Sequence, residues 1–300
     1  MSKHETVRYG IGEWYGRLFT KINPYDRKEL AGVKGVKKVS CPHRKDIKMC
    51  NKNGGVCSLA AYRMDEDGSA IYNNSDFVTL CPNRFWQNNL IFKEIGKHIL
   101  KAEKPFLIKE VNFLQRIDFE GNIQNEFVGK IDLILTKNDH ENRILDWCAI
   151  ELQAVYFSGM AMGPEFNEIR KHPDIIPFPK KNRRPDFRSS GPKRLMPQLE
   201  IKVPTLRRWG KKIAIVVDKP FFESIAIMKP AHSLSNADIA WFVVDYQGTN
   251  NSIRVYRTIY TTLENSIEGL TAGTPVSISV FEKELEYYIS TRKEKLINLF

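Results

Sequence analysis

GKIDLILTKNDHENRILDWCAIELQAVYF, residues 129–157, carries two alternating apolar runs joined by the polar loop TKNDHENR. Successive side chains of a strand point to opposite faces. Ile131, Leu133 and Leu135 therefore share one face of the first run, with Lys130 and Asp132 on the other. In the second run Cys148, Ile150, Leu152 and Ala154 lie opposite Trp147, Ala149, Glu151 and Gln153. Paired as a hairpin, the runs bring Asp132, Glu151 and Gln153 toward one surface. A carboxylate held inside a sheet is costly unless a partner compensates it. Two readings stay open: a solvated or salt-bridged polar face, and a divalent metal held by two carboxylates. Mg2+ suits such an oxygen donor set; it would activate a water and neutralise charge on a transferring phosphoryl group.

The rest of the chain supplies the context. Three hundred residues, 42% hydrophobic and 27% charged, are enough for a substantial core. A net charge of +11 points to a polyanionic partner, with nucleic acid foremost. The apolar runs IAIVVD and IAWFVVDY are far too short to span a membrane. The opening MSKHETVRYG has no apolar signal region, and five cysteines are an odd number for disulfides. A cytoplasmic chain with reduced thiols or a metal site is the expectation. H-E-x-x-H, G-x-x-x-x-G-K-[ST] and G-x-S-x-G are all missing, which removes the usual signatures of metalloproteases, P-loop enzymes and α/β-hydrolases.

Along the chain, YGIGEWYG lacks the full phosphate-loop pattern and reads as part of a turn-rich start. Residues 34–81 are basic and Gly-rich, with few apolar positions for a core of their own. The character changes at Phe85, dividing an N-terminal four-cysteine segment, residues 1–84, from a core, residues 85–300. NRFWQNNLIFKEIGKHILKAE predicts an amphipathic helix with Phe85, Asn89, Phe92, Ile95, Gly96 and Ile99 near one face. FLIKEVNFLQRI, NEFVGKIDLILT and LDWCAIELQAVYF predict strands, EFNEIRKH a short helix, and MPQLEIKVPTLRRWGKK a helix broken around Pro204. KIAIVVD and DIAWFVVDYQ predict buried strands, and the last helix starts near Val280. The order is that of an α/β fold with a mixed central sheet.

Four of the cysteines, Cys41, Cys50, Cys57 and Cys81, fall in SCPHRKDIKMCNKNGGVCS and TLCPN. Four thiolates can close a tetrahedral site for zinc or iron. The neighbouring Pro42, Pro82 and Gly54–Gly55 provide turns that could aim them inward. The spacing is not the paired C-x2-C form, and four small buried hydrophobes is the competing reading. His43 is an alternative ligand, while Cys148 sits on the apolar face of its strand.

Asp132 with Glu151 nineteen positions on, followed by Gln153, resembles the PD-(D/E)XK nuclease core. There an acidic pair on neighbouring strands holds Mg2+ and a lysine follows the Glu. Here Gln153 stands at the lysine position, and a neutral amide can orient a water but supplies no positive charge. Together with the four-cysteine segment, VGKIDLIL…WCAIELQAVYFSG, LRRWGKKIAIVVDKPFF and ADIAWFVVDY resemble the NotI family of type II restriction endonucleases over roughly residues 35–250. The resemblance implies a homodimer that cuts GC-rich palindromic double-stranded DNA with Mg2+. It assigns the acidic pair and Gln to Asp132, Glu151 and Gln153. It also implies an iron held by Cys41, Cys50, Cys57 and Cys81 in a DNA-contacting N-terminal segment. The Gln is then the family's own form.

Cations that could meet phosphates or guanine edges are Lys34, Lys37, Lys38, Arg44, Lys45 and Lys48 around the first cysteines. Lys180, Lys181, Arg183, Arg184, Arg188, Lys193 and Arg194 crowd a segment with six prolines, residues 172–198, which reads as a loop. Glu94, Glu110 and Glu126 are possible accessory acids, each competing with a plain surface role. Three functions fit: a sequence-specific Mg2+ nuclease, a non-catalytic metal-stabilised DNA-binding protein, and a repair or structure-specific nuclease on the same core.

Overall fold

The computed structural model describes residues 7–32, 39–44, 46–47, 49–64, 70–72, 77–248, 251–273, 275–292, 294 and 296–297. Near the N-terminus, β1 (Arg8–Trp14), β2 (Arg17–Leu18), β3 (Val56–Met64), β4 (Ala70–Tyr72) and β5 (Val78–Thr79) form an antiparallel sheet. Helix α1 (Pro24–Gly32) lies between β2 and β3 in sequence. Most of YGIGEWYG is thus a largely buried strand, where turns were expected. Its glycines serve close approach: a Cβ on Gly10 would lie 2.7 Å from Pro179 and Tyr62, and one on Gly12 2.7 Å from Phe77.

A long hairpin follows, β6 (Phe106–Ile117) and β7 (Ile123–Asn138), and then β8 (Ile144–Leu152). Between them and the N-terminal sheet lie a 3-10 stretch, Pro82–Asn89, and α2 (Leu90–Ile95), which runs into a π-turn to Leu100. The helix expected from Phe85 therefore starts only at Leu90. Asn88 and Asn89 both sit at φ 54°, a left-handed conformation that interrupts regular helix and that Asn tolerates better than most residues.

After β8 come β9 (Tyr156–Ser158), α3 (Gly163–Lys171) and β10 (Arg184–Asp186), which pairs with β9. The proline-rich segment is thus built into the fold. Helical turn α4 (Phe187–Ser190) passes through a π-turn, Gly191–Leu195, into α5 (Met196–Arg208). Helix α5 continues through Pro204, where a break was expected. Pro204 leaves one carbonyl, that of the exposed Glu200, without its helical donor, and water can serve it there. Then follow β11 (Ile213–Asp218), α6 (Lys219–Ser224), β12 (Ile239–Gln247), β13 (Ser252–Thr261), α7 (Leu263–Thr271) and α8 (Ile278–Thr291).

The central sheet is six-stranded in the order β13-β12-β11-β8-β7-β6. β8, β11 and β12 run parallel and the remaining pairs are antiparallel, the mixed sheet anticipated from the element order. β11 and most of β12 are buried along their length, as continuous apolar runs require when both faces are covered. β8 is covered on both faces as well: Ala149, Ile150 and Glu151 are all buried.

One continuous apolar core runs from the N-terminal sheet into the central sheet, and buried polar ties join the two. Glu13 of β1 accepts from Ser58 Oγ at 2.9 Å and from Arg84 Nε at 2.9 Å. Arg84 also donates to Gln87 Oε1 and to the carbonyl of Asn251, and its guanidinium lies over the Tyr246 ring of β12. Asp218, at the end of β11, accepts the backbone N–H of Phe221, capping α6, and that of Thr79 in β5.

Two consequences are measurable. Replacing Arg84 with Met strands the Glu13 charge in the core, and urea unfolding at neutral pH should show a loss of about 3–5 kcal/mol. Burial pushes the Asp218 carboxyl up from 3.8 to about 6, against the opposing hydrogen bonds from Thr79 and Phe221. With the folded value above the unfolded one, Asp218 favours the fold most below pH 3.8, and this contribution is lost as pH rises through about 6. Relative to wild type, Asp218→Asn should therefore gain up to about 3 kcal/mol between pH 4 and 7. A constant difference across that range would contradict the assignment.

Candidate functional site

The β7–β8 register sets Leu133 opposite Ile150 and Ile134 opposite Ala149. One step further, Asp132 faces Glu151 across the ladder, within cross-strand contact range. The hairpin is thus formed as its alternation predicts, but its polar face is not simply solvated. The Glu151 side chain is 8% exposed, whereas that of Asp132 is 59% exposed. On its other side Glu151 neighbours Ile215 of β11. Burial raises the Glu151 pKa most; the Lys202 ammonium opposes this, and the nearby Asp132 charge adds to the rise.

Lys202, absent from the residues singled out above, compensates the buried carboxylate. It projects from α5 with Nζ 2.7 Å from Glu151 Oε2, 3.3 Å from Asp132 Oδ2 and 2.8 Å from Gln198 Oε1. The signal was present in the sequence: Leu199, Lys202, Val203 and Leu206 all lie on the buried stripe of the helix, and a lysine there must find acceptors. The salt bridge of the initial alternative is therefore present, between Lys202 and the acidic pair.

Gln153 lies just beyond β8. Its backbone N–H bonds to Val216 O at 2.9 Å, and its side-chain amide donates to Ala154 O at 2.6 Å. It shares with Glu151 a cavity of about 360 Å³, also lined by Lys52, Tyr156, Arg194 and Gln198. Asp132 and Glu151 open into a second cavity of about 610 Å³, lined by Arg44, Asn83, Trp86, Lys109 and Glu110. Glu151 stands at the junction, with Asp132 toward one hollow and Gln153 toward the other. Both hollows have cations in their walls, as a phosphate backbone would need.

The remaining residues divide clearly. Arg194 stacks 3.7 Å over the Tyr156 ring beside the smaller cavity. Arg183 is fully buried and bonded to Glu165 and the carbonyls of Met160 and Ala161, so it holds the fold and cannot reach DNA. Lys180 pairs with Glu168, whereas Arg184, Arg188 and Lys193 are exposed. Arg44 binds Asp46, which also meets Lys109 of β6, and lies 4.2 Å over Trp86. Lys34, Lys37, Lys38, Lys45 and Lys48 lie outside the described residues. Of the possible accessory acids, Glu110 lines the Asp132 cavity and pairs with Lys130 at 3.1 Å. Glu126 pairs with Arg116 along the hairpin, and Glu94 with Lys97 and His98 on its own helix.

Cys41, Cys50, Cys57 and Cys81 are all buried. Burial raises the thiol pKa of Cys50, Cys57 and Cys81, and neighbouring cysteines add to each rise. His43 stays neutral, depressed to about 3 by burial and by Arg84, and its buried Nε2 has no hydrogen-bond partner. This donor chemistry suits zinc or iron. Among the described residues, however, no group of three or more His, Cys, Asp or Glu is arranged to hold a metal ion. Cys148 is buried in the core, where burial drives its thiol pKa strongly upward.

The site is thus an acidic pair on adjacent strands of a mixed α/β sheet, opening into hollows with cations in their walls. The chain belongs to the NotI family: the family model "Restriction endonuclease NotI" matches residues 27–257, which include every residue of this site. Membership implies a restriction endonuclease, and with it DNA binding. No curated protein matches the chain. Among the described residues no helix is long and apolar enough to cross a membrane.

Proposed function

We propose that the chain is a type II restriction endonuclease making Mg2+-dependent double-strand breaks at a GC-rich palindromic DNA site. The observation that carries this reading is the Asp132–Glu151 pair facing across β7 and β8, in a chain of the NotI family. Asp132 and Glu151 are the groups that would hold Mg2+, which supplies, when bound, positive charge at the phosphate and a water of lowered pKa. Gln153 would orient the attacking water once its amide leaves the Ala154 carbonyl. Lys52, Arg194, Arg44 and Lys109, in the walls of the two cavities, would hold flanking phosphates. Water attacks phosphorus, the bond to the leaving oxygen breaks, that oxygen takes a proton, and the water's proton passes to solvent.

Residues 1–84 form the DNA-contacting segment in this reading, with one iron, or zinc in its place, on Cys41, Cys50, Cys57 and Cys81. Four buried thiols, three of them with pKa values raised in part by neighbouring cysteines, support it. The enzyme acts as a homodimer. Helix α8 is consistent with this, because none of its residues is buried and Ile278, Phe281 and Leu285 form an exposed apolar stripe. A cytoplasmic setting fits both the reduced thiols and the DNA substrate.

A second reading has its own support. Lys202 already satisfies the acidic pair, as a purely structural ion pair in a non-catalytic DNA-binding protein would. Incubation with a long, sequenced DNA separates the two. The nuclease yields discrete fragments in Mg2+ and none in EDTA, whereas the binding protein gives only a salt-sensitive gel shift. Asp132→Ala and Glu151→Ala should each slow cleavage by about a hundredfold or more, since several kcal/mol of charge stabilisation disappear. Elemental analysis of purified protein should find about one iron or zinc per chain, lost in Cys57→Ser; metal-free wild type would refute the cysteine site.

A further inference from the structure

Gln153 leaves an electrostatic gap. It is neutral, and its amide is committed to the Ala154 carbonyl, so no positive charge reaches the reacting phosphate from that position. The chain nonetheless delivers a lysine to the acidic pair from a different element. Lys202 is 7% exposed, and its three N–H donors match three acceptors on Glu151, Asp132 and Gln198. Gln198 lies one helical turn before it on α5 and holds the ammonium from the helix side. Packing does not demand a lysine here, because Leu199, Val203 and Leu206 on the same stripe are apolar and a Leu or Met would continue it.

The three contacts are unequal. The Glu151 and Gln198 bonds are short and enclosed. The Asp132 contact is the longest, at 3.3 Å, and Asp132 is the partner open to the larger cavity. A cation entering from that cavity meets the ammonium at its most weakly held side.

We infer that Lys202 is the charge-supplying lysine of this site, and that in the metal-free chain its ammonium competes with a divalent cation for Asp132 and Glu151. This rests on the nuclease reading above. Lys202 offsets the buried Glu151 charge before metal enters, so that Glu151 does not lie unpaired in the sheet, and Asp132 leaves the site net negative. At the Glu151 side it then provides the positive charge at the phosphate that Gln153 lacks.

Competition and catalysis move in opposite directions when the charge is removed, which a purely structural lysine would not produce. The test compares full-length wild type with Lys202→Met and Lys202→Gln. Gln keeps a hydrogen bond to Glu151 and serves if the Met variant does not fold. Mn2+ affinity without DNA is measured by calorimetry, and single-turnover cleavage at saturating Mg2+ is measured separately. Both variants should bind Mn2+ about tenfold more tightly, as a nearby positive charge is gone, and should cleave about a hundredfold more slowly. Wild-type affinity together with wild-type cleavage overturns the inference, as does weaker Mn2+ binding together with lost cleavage. If wild type itself leaves DNA intact in Mg2+, the nuclease reading fails, and the Mn2+ comparison still decides the competition.

Discussion

A carboxylate lies buried in the middle of a six-stranded sheet, and the structure around it is arranged to meet its charge. Glu151 sits on β8, between β7 and the parallel neighbour β11, with both faces of its strand covered. An unpaired charge there would cost several kcal/mol. Helix α5 answers by bringing Lys202 over the sheet, and Gln198 fixes the ammonium from the preceding turn. Asp132, one strand away and more exposed, gives the same cation a second acceptor on the side of the larger cavity. The same ammonium thus balances the buried carboxylate and ties β7, β8 and α5 together.

The N-terminal sheet completes this arrangement. It is held to the core by a buried Glu13–Arg84 pair and by the Asp218 carboxylate accepting from Thr79. Arg84 lies in the 3-10 stretch that also carries Asn83 and Trp86 into the wall of the Asp132 cavity. Lys52, between two of the cysteines, reaches Leu80 O at 2.7 Å and lines the Glu151–Gln153 cavity. The four-cysteine segment therefore forms one side of the cleft that the acidic pair opens into, and any change in how it packs alters the walls of that cleft.

Much of the central sheet was legible because its strands are long and patterned. β6 spans the residues that the FLIKEVNFLQRI run marks, β11 and β12 match their apolar runs to within a residue, and the hairpin loop falls where the polar stretch lies. β1 was illegible for an identifiable reason. Its two glycines look like turn residues, and only the aromatic rings and the proline that press on them from distant parts of the chain make them strand residues. The start of α2 was misread because periodicity continues back to Phe85, whereas the left-handed Asn88–Asn89 pair ends the helix sooner.

The sequence by itself determined the acidic hairpin, because alternation and a polar loop between complementary runs dictate which side chains share a face. It also determined the family resemblance, and the basic balance that calls for a polyanion. Tertiary structure alone decided how the charge of Glu151 is met. Lys202 lies 51 positions away; its place on the apolar stripe of a helix marks it as a lysine that needs acceptors, but nothing local says which carboxylates those are. Burial is a property of the assembled layers. Only when α5 closes over β8 does one lysine lose its water and exchange it for two carboxylates and an amide.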